Sequence, residues 1–267
     1  MTTTAVRRFR DHIEPVAGAI YRFPEARNAS KELGLRGWQW YFASRTAAMG
    51  RAAPPVVTAA LGSWAPGLVE ESLDAAWAVT DPDTVAATRD RTAQAAGERL
   101  LASVDRGRVE RATELLRRAT ATVSPDGRAM FRAWRAAPPA EGRFAAPGRA
   151  ADLGRERRGD DTPIAWGAEG WRSPDIIIAT ELWRGLDPRE RAGFQGWTDV
   201  EIEEGFERLR QAKLVDGDAL TDAGLDAREA VEVATDRLAQ PMIDALGDDH
   251  DELVQLLGQV AGAFAAG

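Results

Sequence analysis

Apolar residues recur at helical spacing along most of this chain, and the pattern predicts a mainly α protein. Stripes of residues three and four positions apart favour helices over 5–33, 36–49, 54–64, 66–77, 82–104, 107–122, 173–183, 222–246 and 248–265. Proline and glycine mark many of the ends, and Phe23-Pro24 predicts a break within the first segment. We therefore expect a multi-helix protein with short connections.

Residues 196–224 carry the clearest local signals in the chain. Thr198 and Glu201 have the spacing of a capping box, which predicts that a helix begins here. Short apolar stretches flank the turn Asp216-Gly217-Asp218, a pattern that predicts a β-hairpin. The phrase LRQAKLVDGDALTDAG resembles the end of the recognition helix and the wing in MarR-type proteins. We predict a C-terminal winged-helix (MarR-like) module with a small β-wing.

The charge of this stretch argues against DNA reading by its first helix. Residues 196–224 hold 8 acidic and 3 basic side chains, and the predicted wing tip carries two aspartates. Contacts with phosphates dominate the affinity of DNA-binding proteins, and acidic side chains repel phosphates. We therefore expect no nucleic-acid contact through residues 198–212.

Residues 123–150 differ from the helical segments around them. They contain the turn signal Ser124-Pro125-Asp126-Gly127 and the pair Pro138-Pro139, which favour a linker or excursion. The sequence thus predicts an N-terminal helical region with an aromatic cluster (1–122), this linker (123–150) and a winged-helix module with C-terminal helices (151–267).

Two segments of the chain resemble each other, and this similarity is compatible with two related helix-turn-helix halves. The stretches PPVVTAALGSWAPGLVEESLDAAW and SPDIIIATELWRGLDPRERAGFQGW both run through proline, an apolar helix, tryptophan, a proline-opened helix and tryptophan. Alanine-rich helices also produce such echoes by chance, so both interpretations stay open.

Composition and charge narrow the classes of function. The chain has no cysteine, which excludes disulfides, thiolate nucleophiles and cysteine-ligated metals. Its two histidines, His12 and His250, lack ligand companions at helical spacing and are expected on the surface, so we predict no metal and no cofactor. No apolar run approaches about 18 residues and no signal peptide is evident, so we expect a cytoplasmic protein without a membrane partner.

Charge is distributed unevenly along the chain. Residues 199–267 hold 17 acidic and 5 basic side chains, a net charge of −12, whereas the whole chain is at −8. Residues 1–198 are therefore net positive, and their basic side chains are almost all arginines.

The first cluster that could bind a ligand is the aromatic segment Trp38-Gln39-Trp40-Tyr41-Phe42-Ala43-Ser44-Arg45. Trp38, Phe42 and Arg45 share one face of the predicted helix, and Tyr41 adjoins it. An arginine beside aromatic rings can clamp a flat or anionic ligand. The alternative is an aromatic core face with Arg45 in a structural ion pair.

The second cluster is Arg155-Glu156-Arg157-Arg158-Gly159-Asp160-Asp161, followed by the apolar segment Pro163–Trp166. A glycine within a charged cluster at a helix junction would place Arg158 and Asp160 beside a cleft. An exposed charged turn is the alternative. The chain has nine tryptophans against two tyrosines, and a common pocket lined by Trp38, Tyr41, Trp64 and Trp166 would use part of this excess.

The segments YRFPEA, LGLRGWQWYFASRTAAMG, PPVVTAALGSW, RERRGDD and GWTDVEIEEGFERLRQAKLVDGDALTDAG together resemble an actinobacterial family of largely uncharacterised helix-turn-helix (MarR-like winged-helix) proteins. The resemblance covers nearly the whole chain and implies transcriptional regulation. The middle motif of that family reads Arg-Gly-Asp-Gly-His, and here Asp161 and Thr162 stand where its Gly and His would be. The positions Tyr21, Trp38, Tyr41 and Arg45 match the family and support a common pocket.

Three hypotheses about function follow. The first is a small-molecule-binding protein on a degenerate winged-helix scaffold, acting as a sensor, sequestering or accessory protein of specialised metabolism. Its ligand-binding residues would be Tyr21, Trp38, Tyr41, Phe42, Arg45, Trp64, Arg158, Asp160 and Trp166. The alternatives are an enzyme that uses Arg158, Asp160 and Tyr41, and a DNA-binding transcriptional regulator. The apolar stripe from Leu253 to Phe264 could additionally form a homodimer through the C-terminal helices.

Overall fold

A computed structural model describes residues 4–265 and confirms that the chain is mainly α. Its fourteen α-helices are α1 (Ala5–Ala17), α2 (Pro24–Glu32), α3 (Trp38–Thr46), α4 (Pro54–Leu61), α5 (Pro66–Val79), α6 (Pro82–Leu100), α7 (Arg106–Ala121), α8 (Ala129–Ala136), α9 (Ala145–Ala168), α10 (Ser173–Arg184), α11 (Pro188–Phe194), α12 (Asp199–Gln211), α13 (Asp222–Asp244) and α14 (His250–Ala265). Short 3-10 helices span Gly18–Tyr21, Ala47–Met49 and Gly247–Asp249. Within residues 4–265, no helix combines the length and apolar character that a membrane span needs.

The contacts divide the chain into two compact units. The first unit contains residues 1–52, 72–160 and 239–267, and the second contains residues 53–71 and 161–238. Each unit is thus assembled from segments that are distant in sequence. The predicted division into 1–122, 123–150 and 151–267 follows sequence signals rather than contacts, and it stays a prediction.

The core of the first unit is built from α1, α7 and α14. Phe9 and Ile13 of α1 are buried with Leu115 of α7 and with Leu253 and Leu257 of α14. The apolar stripe of α14 is therefore covered within its own unit. A homodimer through the C-terminal helices would need other residues and stays a prediction.

The second unit contains the hairpin, in which β1 (Val215–Asp216) pairs with β2 (Ala219–Leu220) in antiparallel register. Gly217, at the tip, has a φ of +58°, a conformation that glycine adopts without strain. A Cβ at Gly224 would lie 2.0 Å from the Leu214 carbonyl oxygen, so α13 begins in close contact with the hairpin backbone. The capping box predicted for Thr198 and Glu201 is present at the start of α12.

One sequence interpretation is wrong. The segment 155–161 was expected at a helix junction, but it lies in the middle of the 24-residue helix α9. Pro163 does not end this helix, although proline removes one backbone N–H and crowds the carbonyl four residues earlier. The tertiary contacts of Asp152, Glu156 and Asp160, described below, hold α9 along this stretch and override the local signal.

The segment 123–150, favoured by the sequence as a linker or excursion, contains helix α8 with Met130, Phe131 and Trp134 buried, and its role as a boundary stays a prediction. One smaller expectation needs correction, because His250 was expected on the surface but is only 5% exposed. Its Nε2 lies 3.0 Å from the Ala5 carbonyl oxygen, which joins the first and last helices of the first unit.

Candidate functional site

The structure distributes the nine predicted site residues over both units. Seven of them lie in the first unit: Tyr21, Trp38, Tyr41, Phe42, Arg45, Arg158 and Asp160. Trp64 and Trp166 lie in the second unit. The geometry of the candidate site is therefore described from the first unit alone.

Helix α9 supplies most of the charged side chains of this site. Asp152, Arg155, Glu156 and Gly159 are spaced three and four residues apart, so they fall on one side of the helix. Asp152 and Glu156 are 5% and 2% exposed. Buried carboxylates require partners, and two arginines from other helices of the first unit provide them.

Arg45 of α3 forms a fork-like ion pair with Glu156. Its Nε and Nη2 donate to the two carboxylate oxygens at 3.0 and 2.9 Å, and its Nη1 donates to the Tyr41 hydroxyl at 3.0 Å. Arg155 donates to the same Glu156 at 2.9 Å. Burial raises the pKa of Glu156, but the charges of Arg45 and Arg155 lower it more, so its pKa lies below the ordinary value. Glu156 thus stays ionised and fixes two guanidinium groups.

These guanidinium groups border a cleft with a volume of about 100 Å³. We call it the arginine cleft, and its lining residues come from α1, α3 and α9: Arg10, Ile13, Glu14, Arg45, Arg155, Arg158 and Gly159. Four arginines and one glutamate form this lining, and Asp11 and Glu156 pair with three of these arginines, so four positive charges meet three negative ones. A Cβ at Gly159 would lie 3.6 Å from Nη2 of Arg45, which means that glycine leaves this wall of the cleft open.

Several aromatic rings pack together next to Arg45. The Tyr21 and Tyr41 rings are 4.7 Å apart, and Trp38 meets Tyr41 edge to face at 5.5 Å. Arg155 lies 5.8 Å from the centre of the Tyr21 ring, within the range of a cation–π contact. Burial raises the pKa of Tyr21 to about 12, so its hydroxyl remains protonated near neutral pH. Tyr21, Trp38, Tyr41 and Arg45 thus lie close together, but only Arg45 lines the arginine cleft, and a pocket common to all four stays a prediction.

Asp160 has a structural role at the start of α8. Its carboxylate accepts backbone N–H bonds from Phe131 at 2.9 Å and from Met130 at 3.4 Å. Burial raises its pKa to about 7, partly opposed by these two bonds. The Trp134 indole N–H donates to the Arg45 carbonyl at 2.7 Å, so α8 is attached to both sequence clusters.

The remaining predicted residues pack in cores. Phe42 is fully buried in the first unit, where its ring contacts those of Trp38 and Tyr41. Trp64 is buried in the second unit, 6.3 Å from the Phe194 ring. Trp166 packs beside the core cluster of Ala165, Ile176 and Val231. These positions correspond to the core interpretation that the sequence left open.

Sequence reasoning did not select Arg10, Glu14, Arg155 or Glu156 as site residues. The signal was present on α9, because Arg155, Arg158 and Gly159 are neighbours on a helix surface at spacings of three and four. It becomes visible only when 145–168 is treated as one continuous helix. Arg10 and Glu14 have the same spacing on α1, but nothing in the sequence connects them to α9.

Helix α12 in the second unit presents a different surface. Its exposed positions include Asp199, Glu203, Glu204 and Glu207. Arg208 pairs with Asp175 at 2.7 Å, and Arg210 pairs with Glu203 at 2.8 Å. Both arginines of the helix therefore already have carboxylate partners.

Comparison with known proteins gives one result. No curated protein and no solved structure matches the sequence. A family model described as "helix-turn-helix family" matches residues 6–267. Because this match covers nearly the whole chain, the protein belongs to that helix-turn-helix family.

Proposed function

We propose that this protein binds a small molecule with an anionic group, and that the arginine cleft of the first unit is the site. The supporting observation is the set of Arg45, Arg155 and Arg158 side chains around one cleft. Arginine is suited to carboxylates and phosphates because its planar guanidinium presents N–H donors in a fixed fork. Such binding fits a sensor, sequestering or accessory protein of specialised metabolism.

The ion pairs of the arginine side chains support binding by a preorganised site. Glu156 holds Arg45 and Arg155, and the carboxylate of Glu14 accepts a bond from Arg155 at 3.0 Å. A site whose side chains are already fixed loses less conformational entropy when the ligand binds. The Tyr41 hydroxyl accepts a hydrogen bond from Arg45, and Asp160 accepts backbone N–H bonds at the start of α8. Because both groups are engaged in structural contacts, a binding role for this region is favoured over acid–base catalysis.

We also propose that residues 173–220 form a degenerate winged-helix module that does not read DNA through α12. The order of α10, α11, α12 and the hairpin is that of a winged helix. The exposed acids of α12 and the aspartates at 216 and 218 would repel phosphates. DNA binding by this chain would need another surface, and a salt-dependent gel shift with its own upstream DNA would support that alternative.

The binding proposal can be tested by calorimetry with benzoate, phenyl phosphate and uncharged benzamide as probes. We expect at least one of the anions to bind, and benzamide to bind at least about tenfold more weakly because charge-assisted hydrogen bonds are lost. The variant Arg158→Gln should weaken anion binding about tenfold or more. Arg117→Gln, an exposed position on α7, is the matched control and should bind as the wild type does.

A second variant tests the open wall of the cleft. Gly159→Ala adds a methyl group next to Arg45 at an ordinary contact distance, so it should reduce anion binding and leave the fold intact. Gly167→Ala in the same helix has open space around it and is the control. Failure of both anions to bind, or equal binding by Arg158→Gln and Arg117→Gln, would contradict the proposal.

A further inference from the structure

A second cavity lies in the first unit, between α6 and the start of α9. Its volume is about 40 Å³. Apolar side chains form most of its wall, among them Ile20, Leu101, Phe144 and Val260. The polar part of the lining consists of Arg89, Asp90, Arg149 and Asp152. None of these residues belongs to the arginine cleft.

The polar part consists of two ion pairs. Arg89 donates to both oxygens of Asp152 at 2.7 Å, and Arg149 donates to Asp90 at 2.8 and 2.9 Å. The two positive and two negative charges cancel. Arg89 and Arg149 are 3% and 8% exposed, so both guanidiniums are removed from solvent.

Each of these arginines retains a buried donor. Nη1 of Arg89 and Nε of Arg149 meet no hydrogen-bond acceptor among the residues that the structure describes. A buried donor without an acceptor costs about 1–3 kcal/mol. Both donors belong to side chains that line one cavity, and this is the observation that motivates an oxygen acceptor there.

Two phenylalanines, Phe23 and Phe264, also line this cavity. The Phe23 and Phe264 rings meet edge to face at 5.2 Å, and both side chains are partly exposed. Their ring contact therefore lies where the cavity approaches the surface.

We propose that this cavity binds the carbonyl end of an uncharged, mainly apolar molecule. The carbonyl oxygen accepts from the buried donors of Arg89 and Arg149. The ligand is uncharged because the four ionised side chains already balance one another, and a buried extra charge would lack a partner. The volume holds only the head group, so the apolar tail passes between Phe23 and Phe264.

The test uses three eight-carbon probes: 2-octanone, octanoate and octylammonium. Calorimetry on the full chain should show binding of 2-octanone, weaker binding of octanoate and none of octylammonium, which has no acceptor. Octanoate is also measured on Arg158→Gln, so that binding in the arginine cleft is separated from binding here.

Filling the cavity should remove the ketone site. Ala93 lines the cavity on α6, and Ala93→Val should weaken 2-octanone binding about tenfold or more because the added methyl groups occupy the ligand's volume. Ala87→Val, at an exposed position of the same helix, carries the same loss of helix propensity and should bind normally.

A second pair of variants keeps the test decisive if Ala93→Val does not fold. A Cβ at Gly148 would meet Ala93 at 3.7 Å, an ordinary contact, so Gly148→Ala narrows the cavity without strain. It should weaken 2-octanone binding about threefold, which corresponds to roughly 0.65 kcal/mol, whereas Gly167→Ala should not change the affinity. The proposal is overturned if 2-octanone does not bind up to its solubility limit, if neither cavity variant weakens it, or if octanoate binds this cavity more tightly.

Discussion

Helices α9 and α12 are both rich in charged residues, and they use their charges in opposite ways. On α9, Asp152, Glu156 and Asp160 are buried and each is bound to groups on another element. On α12, Glu203, Glu204 and Glu207 are exposed. The buried charges of α9 fix the positions of side chains and backbone in the first unit. The exposed charges of α12 make the surface of that helix acidic.

The energetics of burial explain the difference. A buried charge must keep its partner, because removing one member of a buried pair leaves an ion without solvation and costs about 3–5 kcal/mol. Exposed ion pairs contribute little, since water and salt screen them. The geometry around α9 is therefore constrained, whereas the exposed acids of α12 can vary without affecting the fold.

The largest effect is expected at Asp152. Asp152→Asn preserves the shape of the side chain but removes the charge that neutralises Arg89. The free energy of unfolding should fall by about 3–5 kcal/mol, as measured by denaturant titration at pH 7. An unchanged free energy of unfolding would show that Arg89 does not depend on this partner, and the contrast with α12 would fail.

An intermediate effect is expected at Asp160, and it depends on pH. Its folded-state pKa of about 7 lies above the ordinary value, so the native state holds the proton more tightly than the unfolded state does. Its contribution to stability is complete at low pH and is lost as pH rises toward 7. Between pH 5.5 and 8.0 the wild type should lose about 2 kcal/mol relative to Asp160→Asn.

The measurement is denaturant unfolding of both proteins at the two pH values. The difference between them isolates Asp160 from the other titrating groups. Glu141→Gln, at an exposed position of the same unit, is the control and should show the same pH dependence as the wild type. A constant difference between wild type and Asp160→Asn over this range would contradict the raised pKa.

Local sequence signals were sufficient for α12 and the hairpin. The capping box at Thr198 and the turn at Gly217 depend on residues within a few positions of each other, and the structure contains both. The acidic surface of α12 was predicted from the excess of acidic over basic side chains in residues 196–224. Here local chemistry determines the structure, because few distant contacts are needed to define a cap or a tight turn.

Local signals failed for α9 because its structure depends on distant partners. Gly159 within its charged cluster suggested a helix junction, but Arg45 and Arg89 bind the helix from 111 and 63 residues away in sequence. Residues this far apart in a single sequence carry no local pattern that pairs them. The family resemblance singled out Tyr21 and Tyr41, whose rings meet, whereas nothing in the sequence pointed to the cleft walls contributed by Arg10 and Glu14.

The smallest effect is expected at Glu203 on α12. This side chain is 54% exposed and pairs with Arg210 at 2.8 Å and with Arg189 at 3.4 Å. Nearby arginines, Arg210 first, lower its pKa, so Glu203→Gln removes a full charge at neutral pH. Because solvent screens both pairs, the midpoint of thermal unfolding should stay at the wild-type value within error, at low salt and in 0.5 M salt alike. A loss comparable to that of Asp152→Asn would show that the surface pairs of α12 hold the fold as the buried pairs of α9 do, and the distinction between the two helices would have to be abandoned.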